Sequence, residues 1–74
     1  MNIGKIDNKI KELNSIRAVQ KKYLKENEKK YRNKEISDES FNKHKHKIEL
    51  KIEKIRQQIH KLEEESFHLK HKGK

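Results

Sequence analysis

Apolar residues recur at alternating steps of three and four along both halves of the chain, and this spacing limits the fold more than any other feature. It is the spacing of the a and d positions of a coiled coil, where each helix buries one narrow stripe. Sustained over about four heptads, it predicts long α-helices and excludes strands. The first series is Ile3, Ile6, Ile10, Leu13, Leu24 and Tyr31, and the second is Phe41, Ile48, Ile52, Ile55, Ile59, Leu62 and Leu69. Polar residues interrupt them at Arg17, Gln20, Asn27, Lys45 and Ser66.

The two series share one alignment. If the chain reverses between them, residues whose numbers add up to 72 face each other, and every position of one series meets a position of the other. A short connection also makes antiparallel neighbours the expected arrangement. We therefore predict an all-α fold, a two-helix antiparallel coiled-coil hairpin that assembles further into a helical bundle. The predicted facing pairs are Ile3–Leu69, Ile10–Leu62, Leu13–Ile59, Leu24–Ile48 and Tyr31–Phe41.

The segment between the two series carries signals that end one helix and begin the next. Asn33 suits the left-handed residue that closes a helix, and Ser37 suits the N-cap of the following one. Asp38 and Glu39 then lie in a first turn, where carboxylates favour the positive end of the helix dipole. We predict a single hairpin over residues 1–74, with helices over about 3–32 and 38–70 and a turn over about 33–37.

Ile36 and Phe41 strengthen the prediction of a helix start at this point. They occupy the positions just before the N-cap and four residues into the helix, which is the spacing of a hydrophobic staple. Such a pair fixes the direction from which the chain enters the helix.

Composition argues against catalysis. Only 28% of the 74 residues are apolar, 45% are charged and tryptophan is absent, so little core is available to support a catalytic cleft. No nucleophile–base constellation has an interpretable spacing, and no glycine lies between Gly4 and Gly73 to supply a flexible loop that could hold a phosphate. We expect a protein that is not an enzyme and has no cofactor.

Metal binding and membrane insertion are also not expected. Cysteine is absent, and the stripe of imidazole and carboxylate groups on the second helix is expected to be exposed, without the buried neighbours that orient ligands. No window approaches the roughly 20 apolar residues of a membrane span, and the N-terminus lacks the apolar run of a signal peptide. We expect a cytoplasmic protein with no metal site. The stripe comprises His60, Glu64, His68 and His71.

The chain has a formal net charge of +9, which indicates an acidic partner such as DNA or RNA. The same lysine excess is also typical of an A·T-rich genome or of thermophily, and the sequence leaves both interpretations open. The candidate nucleic-acid-binding residues surround the predicted turn. They are Lys21, Lys22, Lys25, Lys29, Lys30, Arg32, Lys34, Lys43, Lys45, Lys47 and Lys51.

Three further apolar residues lie beside the predicted seam of the first helix. Ile16, Val19 and Tyr23 are spaced i, i+3 and i+7, next to the polar seam residues Arg17 and Gln20. They fit either a locally drifting seam or a second face that joins hairpins into a four-helix bundle. We favour the second interpretation, because small cores usually need such help, and predict a homo-oligomer with these residues at its interface.

The segment from Leu24 to Ile48 resembles the short helical hairpin called SHOCT. That pattern runs Gly-x-Ile-Ser/Thr-x-Glu-Glu-Phe-x-x-x-Lys, and the matching stretch here is Lys-Glu-Ile-Ser-Asp-Glu-Ser-Phe, residues 34–41, followed by Lys45. Glu35 stands where the family has glycine, and the likeness covers about a third of the chain. The resemblance implies a helical hairpin used for oligomerisation or in association with nucleic acid.

These observations lead to one principal function and one alternative. The principal hypothesis is a basic helical hairpin that binds nucleic acid non-specifically through phosphate contacts. The alternative is a coiled-coil adaptor or oligomerisation module, whose partner is a protein and whose lysines serve solubility. A membrane-surface helix ranks third, because the apolar stripe is used by the partner helix and tryptophan is absent.

Overall fold

The computed structural model describes residues 2–71, which form two antiparallel α-helices joined by a tight turn. Helix α1 is Ile3–Arg32 and helix α2 is Asp38–His71. The Cα atoms extend 58 × 15 × 14 Å, which gives a rod two helices wide. No strand occurs in these residues, and the predicted all-α hairpin is confirmed.

The seam between the helices is built from the residues of the two apolar series. Ile6 is fully buried, and Leu13, Ile55 and Ile59 form a buried cluster against which Ile10 and Leu62 pack. The cluster brings Leu13 together with Ile59, as the alignment predicts, and both Ile10 and Leu62 pack against it. Coiled-coil spacing therefore identified the buried stripe correctly, because an antiparallel pair of helices has only these positions available for a core.

Two polar residues of the seam are buried. Ser66 is 5% exposed and Asn27 is 8% exposed, and every buried polar side-chain atom in residues 2–71 has a hydrogen-bond partner. The Asn27 side-chain amide donates to the Phe41 carbonyl oxygen at 3.2 Å. This hydrogen bond joins α1 to the first turns of α2 and keeps the amide satisfied away from water.

The start of α2 follows the sequence signals. The Ser37 hydroxyl oxygen accepts a hydrogen bond from the Ser40 backbone N–H at 3.1 Å, which confirms Ser37 as the cap. Asp38 and Glu39 lie in the first turn, and Ile36 and Phe41 are both half-buried.

The end of α1 differs from the prediction. Asn33 is not left-handed (φ −83°), and its N–H donates to the Lys29 carbonyl oxygen at 3.0 Å. The left-handed residue is Lys34, with φ 59°. The Glu35 N–H then donates to the Lys30 carbonyl at 2.9 Å and the Lys34 N–H to the Tyr31 carbonyl at 3.0 Å, the pair of bonds of a Schellman motif. The left-handed residue thus falls one position after the asparagine, at the place in the chain that the two Schellman hydrogen bonds require.

Replacing Lys34 by glycine is expected to stabilise the hairpin by about 0.5–1 kcal/mol, because a left-handed backbone is strained for any residue with a Cβ atom. The Lys34→Ala variant serves as the control, since it removes the same charge but keeps the strain. Urea unfolding followed by circular dichroism measures both. A glycine variant no more stable than the alanine variant would contradict the strain at this position.

Candidate functional site

The eleven basic residues predicted to bind nucleic acid are displayed around the turn end of the rod. Lys45 is half-buried at the seam, with its ammonium 5.7 Å from the centroid of the Phe41 ring, and the other ten are exposed. Three ion pairs occur in residues 2–71, and none of them involves any of these eleven residues. The positive charge at this end is therefore not neutralised by ion pairs within the hairpin.

A groove on one side of the seam carries part of this charge. We term it the α1-side groove, and acidic residues lie beside its lysines. Arg56 forms two hydrogen bonds to the Glu53 carboxylate, at 2.8 and 3.0 Å, which lower the pKa of Glu53 and reduce the effect of its charge. The lining residues are Lys21, Leu24, Lys25, Glu28, Glu49, Ile52 and Glu53.

Basic side chains continue from this groove along α1. Lys21, Lys25, Lys29 and Arg32 are separated by four, four and three residues, so they lie along one stripe of the helix. Lys29 and Arg32 are in the last turn of α1, where cations also favour the negative end of the helix dipole.

A second groove runs along the opposite side of the seam, closer to the open end of the hairpin. We term it the α2-side groove, and Lys61 and Gln58 contribute to it from α2. Residues seven apart lie on the same side of such a helix, so Lys47 and Lys54 share the side of Lys61, and Lys51 shares that of Gln58. The groove is lined by Lys9, Leu13, Gln58, Lys61, Leu62 and Glu65.

The structure thus divides the predicted basic residues between the two sides of the rod. Lys21 and Lys25 line the α1-side groove, whereas the heptad positions of Lys47 and Lys51 place them on the side of the α2-side groove. The row on α2 continues through Lys54 and Lys61, two residues absent from the predicted set. The heptad spacing from Lys47 to Lys54 and Lys61 is the sequence signal that could have identified them.

Two aromatic residues are committed to the turn. The Tyr31 and Phe41 rings stack with centroids 4.2 Å apart and planes 10° from parallel. A hydrogen bond to the Asp38 carboxylate, together with its negative charge, raises the pKa of Tyr31. The pair closes the hairpin and leaves Tyr31 36% exposed.

The three predicted interface residues are exposed on the hairpin. The exposed fractions of Ile16, Val19 and Tyr23 are 41%, 45% and 50%. Lys9 lines the α2-side groove, and Ile16 and Tyr23 follow it at intervals of seven, so they lie on the same side of the seam. We term these three residues the apolar strip. The strip lies on the same side of the seam as Lys47, Lys54 and Lys61 of α2, which we term the lysine row.

The histidine stripe of α2 forms one ion pair, between the His60 ring and the Glu64 carboxylate at 2.9 Å. Phe67 is 59% exposed and stacks on the His71 ring, with centroids 4.1 Å apart. In the described part of the chain, no three histidine or carboxylate side chains converge in a way that could hold one metal ion. The geometry of residues 2–71 offers basic and apolar surfaces for binding.

Comparisons with protein-family models, with curated protein sequences and with solved structures found no match. The resemblance of residues 24–48 to SHOCT stays a prediction. Neither helix, within the described range, combines the length and apolar character needed to span a membrane.

Proposed function

We propose that this hairpin binds nucleic acid without sequence preference, through contacts between its lysines and backbone phosphates. The observation that carries the proposal is the set of eleven basic residues around the turn, ten exposed and none in an ion pair within residues 2–71. Such side chains are free to neutralise phosphates and to release condensed counterions, which is the main source of non-specific affinity.

The charge balance of this region supports an anionic ligand. Residues 21–51 contain eleven lysine and arginine residues against six aspartate and glutamate residues. Nine of the eleven are exposed on the two helices and Lys34 is exposed in the turn, so they can meet phosphates along an extended surface of the rod. A bound nucleic acid would stay in contact with several lysines at once.

The kinds of side chain favour contacts with the backbone over reading of base sequence. Arg32 is the only arginine of the set, whereas recognition of base edges relies mainly on arginine, asparagine and glutamine. Tyr31 and Phe41 are stacked on each other, and so neither is a free platform for bases on both faces. We therefore propose similar affinities for unrelated sequences, in a cytoplasmic setting where DNA or RNA is the ligand.

Fluorescence anisotropy with generic duplex DNA and duplex RNA tests this function. The logarithm of the affinity should fall linearly with the logarithm of the salt concentration, with a slope near −0.9 for each phosphate contact on duplex DNA. With about four to six lysines engaged, affinity should fall by roughly two to three orders of magnitude between 50 and 200 mM salt. Absence of binding to either duplex at 50 mM salt would refute the proposal.

A second candidate is a module for protein–protein interaction. The observation that favours it is the apolar strip of Ile16, Val19 and Tyr23, because these residues are 41–50% exposed although burying them would be favourable. In this function the lysines serve solubility, and nucleic acid binds weakly at any salt concentration. Changing all three strip residues to serine should then abolish the protein interaction and leave duplex binding unchanged.

A further inference from the structure

The side of the rod that carries the apolar strip also carries a particular order of charges. On α1 the strip is bounded by Glu12 and Glu26, which are seven residues before and after Val19. Residues of α1 and α2 whose numbers add up to about 72 lie at the same height along the rod. On this side, Lys61, Lys54 and Lys47 of α2 therefore lie level with Glu12, Val19 and Glu26 of α1. The glutamates are therefore level with lysines at both ends of the strip.

These opposite charges are not paired within one hairpin. The ion pairs within residues 2–71 do not include a contact of Glu12 with Lys61 or of Glu26 with Lys47. The Glu12 carboxylate instead lies 3.9 Å from the ammonium of Lys9, on the same helix. All four residues occupy heptad positions outside the seam. An ion pair between one of these glutamates and one of these lysines therefore needs α1 of one molecule to lie on α2 of another.

We propose that a second copy of this chain covers the apolar strip, with the two turns at the same end of the dimer. A two-fold axis parallel to the rods sets α1 of each copy against α2 of its partner, antiparallel. Glu12 then meets Lys61 of the partner subunit, and Glu26 meets the partner's Lys47. The result is a four-helix bundle in which every neighbouring pair of helices is antiparallel.

The contacts at the centre of this interface also fit. Tyr23 is level with Lys51 of the partner subunit, whose aliphatic stem can cover the ring while its ammonium reaches water or lies over the ring face. Ile16 and Val19 lie at heights between the partner's Ile48 and the partner's Leu62, two half-buried seam residues of this side. The interface buries apolar side chains and leaves the charged heads at its rim.

The opposite orientation brings like charges together. If the turns lay at opposite ends and the strips overlapped, α1 would pack on α1 and α2 on α2. Glu12 would then face the partner's Glu26, and Lys51 would face the partner's Lys54. Like charges across an interface disfavour one orientation over another, so the charge order selects the arrangement with both turns together.

This inference specifies the partner in the second candidate function, and it does not require nucleic acid. If both proposals hold, the basic turn ends of two copies lie side by side. The double variant of Lys25 and Lys29 tests nucleic-acid binding without changing any residue of this interface, so the two proposals can fail separately.

Sedimentation equilibrium of the full chain tests the use of the strip. The parent protein should be a dimer of about twice 9.0 kDa at tens of micromolar. The double change Val19→Ser and Tyr23→Ser should raise the dimer dissociation constant about tenfold or more. Leu50→Ser is the matched control, since Leu50 is 49% exposed but lies midway between Ile48 and Ile52, facing away from the seam. A monomeric parent, or equal effects of the strip and control variants, would overturn the proposal.

A charge exchange tests the pairing. Glu12→Lys alone and Lys61→Glu alone should each weaken the dimer severalfold, and the double variant should recover most of the parent affinity. Circular dichroism establishes that each variant keeps its helices. A double variant as weak as the sum of the single changes would exclude the Glu12–Lys61 contact.

Spin labels distinguish the two orientations directly. The chain has no cysteine, so Glu35→Cys introduces one labelling site in the turn. With both turns at one end, the two nitroxides of a dimer should be roughly 15–30 Å apart, the width of neighbouring helices plus the label arms. With the turns at opposite ends the distance should be roughly 45 Å or more, from 1.5 Å per residue between Val19 and the turn, doubled. A distance distribution centred near the longer value would overturn the proposed orientation. If the chain associated only when a different protein was added, the proposal of a second copy would also be overturned.

Discussion

Replacing Lys25, Lys29, Lys47 and Lys51 by glutamine is expected to weaken binding to duplex DNA more strongly than any other surface change of the same size. Each lysine that contacts a phosphate contributes about 0.9 to the salt slope, so the loss of four contacts should make the slope shallower by about 3.6. All sequences should be weakened alike, because phosphate contacts carry no sequence information. Glutamine is a fair helix former, and the helix content should change little.

The matched control lowers the charge equally at the open end of the hairpin. Changing Lys5, Lys9, Lys11 and Lys70 to glutamine removes four positive charges away from the turn. Anisotropy titrations at several salt concentrations compare the two variants. Equal effects would mean that only net charge matters, and a turn-end variant that binds like the parent with the same slope would show that these lysines are not the site.

The division of the lysines between two sides makes a finer experiment possible. Lys25 lines the α1-side groove, and Lys29 follows it on the same stripe of α1. Lys47 and Lys51 lie across the seam, on the side of the α2-side groove. If the duplex meets one side only, one double variant should make the slope shallower by about 1.8 and the other should leave it unchanged. Equal, smaller changes in both would indicate that the nucleic acid contacts the turn end from both sides.

Ile59→Ala is expected to lower the free energy of unfolding by about 2–4 kcal/mol, a larger loss than truncation of any exposed side chain of the rod should cause. Ile59 is 6% exposed and packs with Leu13 and Ile55 in the buried cluster. A narrow seam has few other residues to fill the cavity, and small domains have only a few kcal/mol of stability to lose. A considerable part of the variant should therefore be unfolded at 25 °C.

Leu50→Ala is the matched control for this substitution. The leucine is 49% exposed on the outer surface of α2, and its truncation should cost less than about 1 kcal/mol. Urea unfolding monitored by circular dichroism gives both values at one protein concentration. Similar losses in the two variants would show that the cluster around Ile59 does not hold the helices together.

The sequence was sufficient to predict the fold because a two-helix rod offers one buried stripe, and a stripe of this kind is visible as spacing. The shared alignment of the two series predicted the contact between Leu13 and Ile59 and the stack of Tyr31 on Phe41. The Ser37 cap was predictable as well, since its hydrogen bond is local in sequence.

Features that depend on three-dimensional context were harder to predict. Asparagine is a common left-handed residue at the end of a helix. Asn33 nevertheless keeps its backbone hydrogen bond to Lys29, and the left-handed residue is Lys34. The prediction did not include the N-cap of α1, although Asn2 accepts a hydrogen bond from the Lys5 N–H at 2.8 Å. Asparagine just before an amphipathic run was the signal that could have identified it.

The candidate site was predicted in composition more fully than in arrangement. Counting lysines located the charge around the turn but did not assign each lysine to a side of the seam. That assignment needs the seam positions as a reference, after which Lys25 and Lys51 are seen to lie on opposite sides. Binding itself depends on a partner molecule, and no internal contact of the hairpin encodes its identity.

The hydrogen bond from Asn27 to the Phe41 carbonyl has a consequence for how precisely the rod is assembled. Coiled coils with uniformly apolar seams can slide by a heptad at little cost, because one leucine layer resembles the next. A slip of seven residues here would bring Asn27 level with Ile52 and break the hydrogen bond between its amide and the Phe41 carbonyl oxygen, at a cost of about 0.5–1.5 kcal/mol where the bond is not replaced. The hydrogen bond of Asn27 therefore favours the observed alignment of the two helices, and it holds the lysines of the two helices at fixed heights relative to each other.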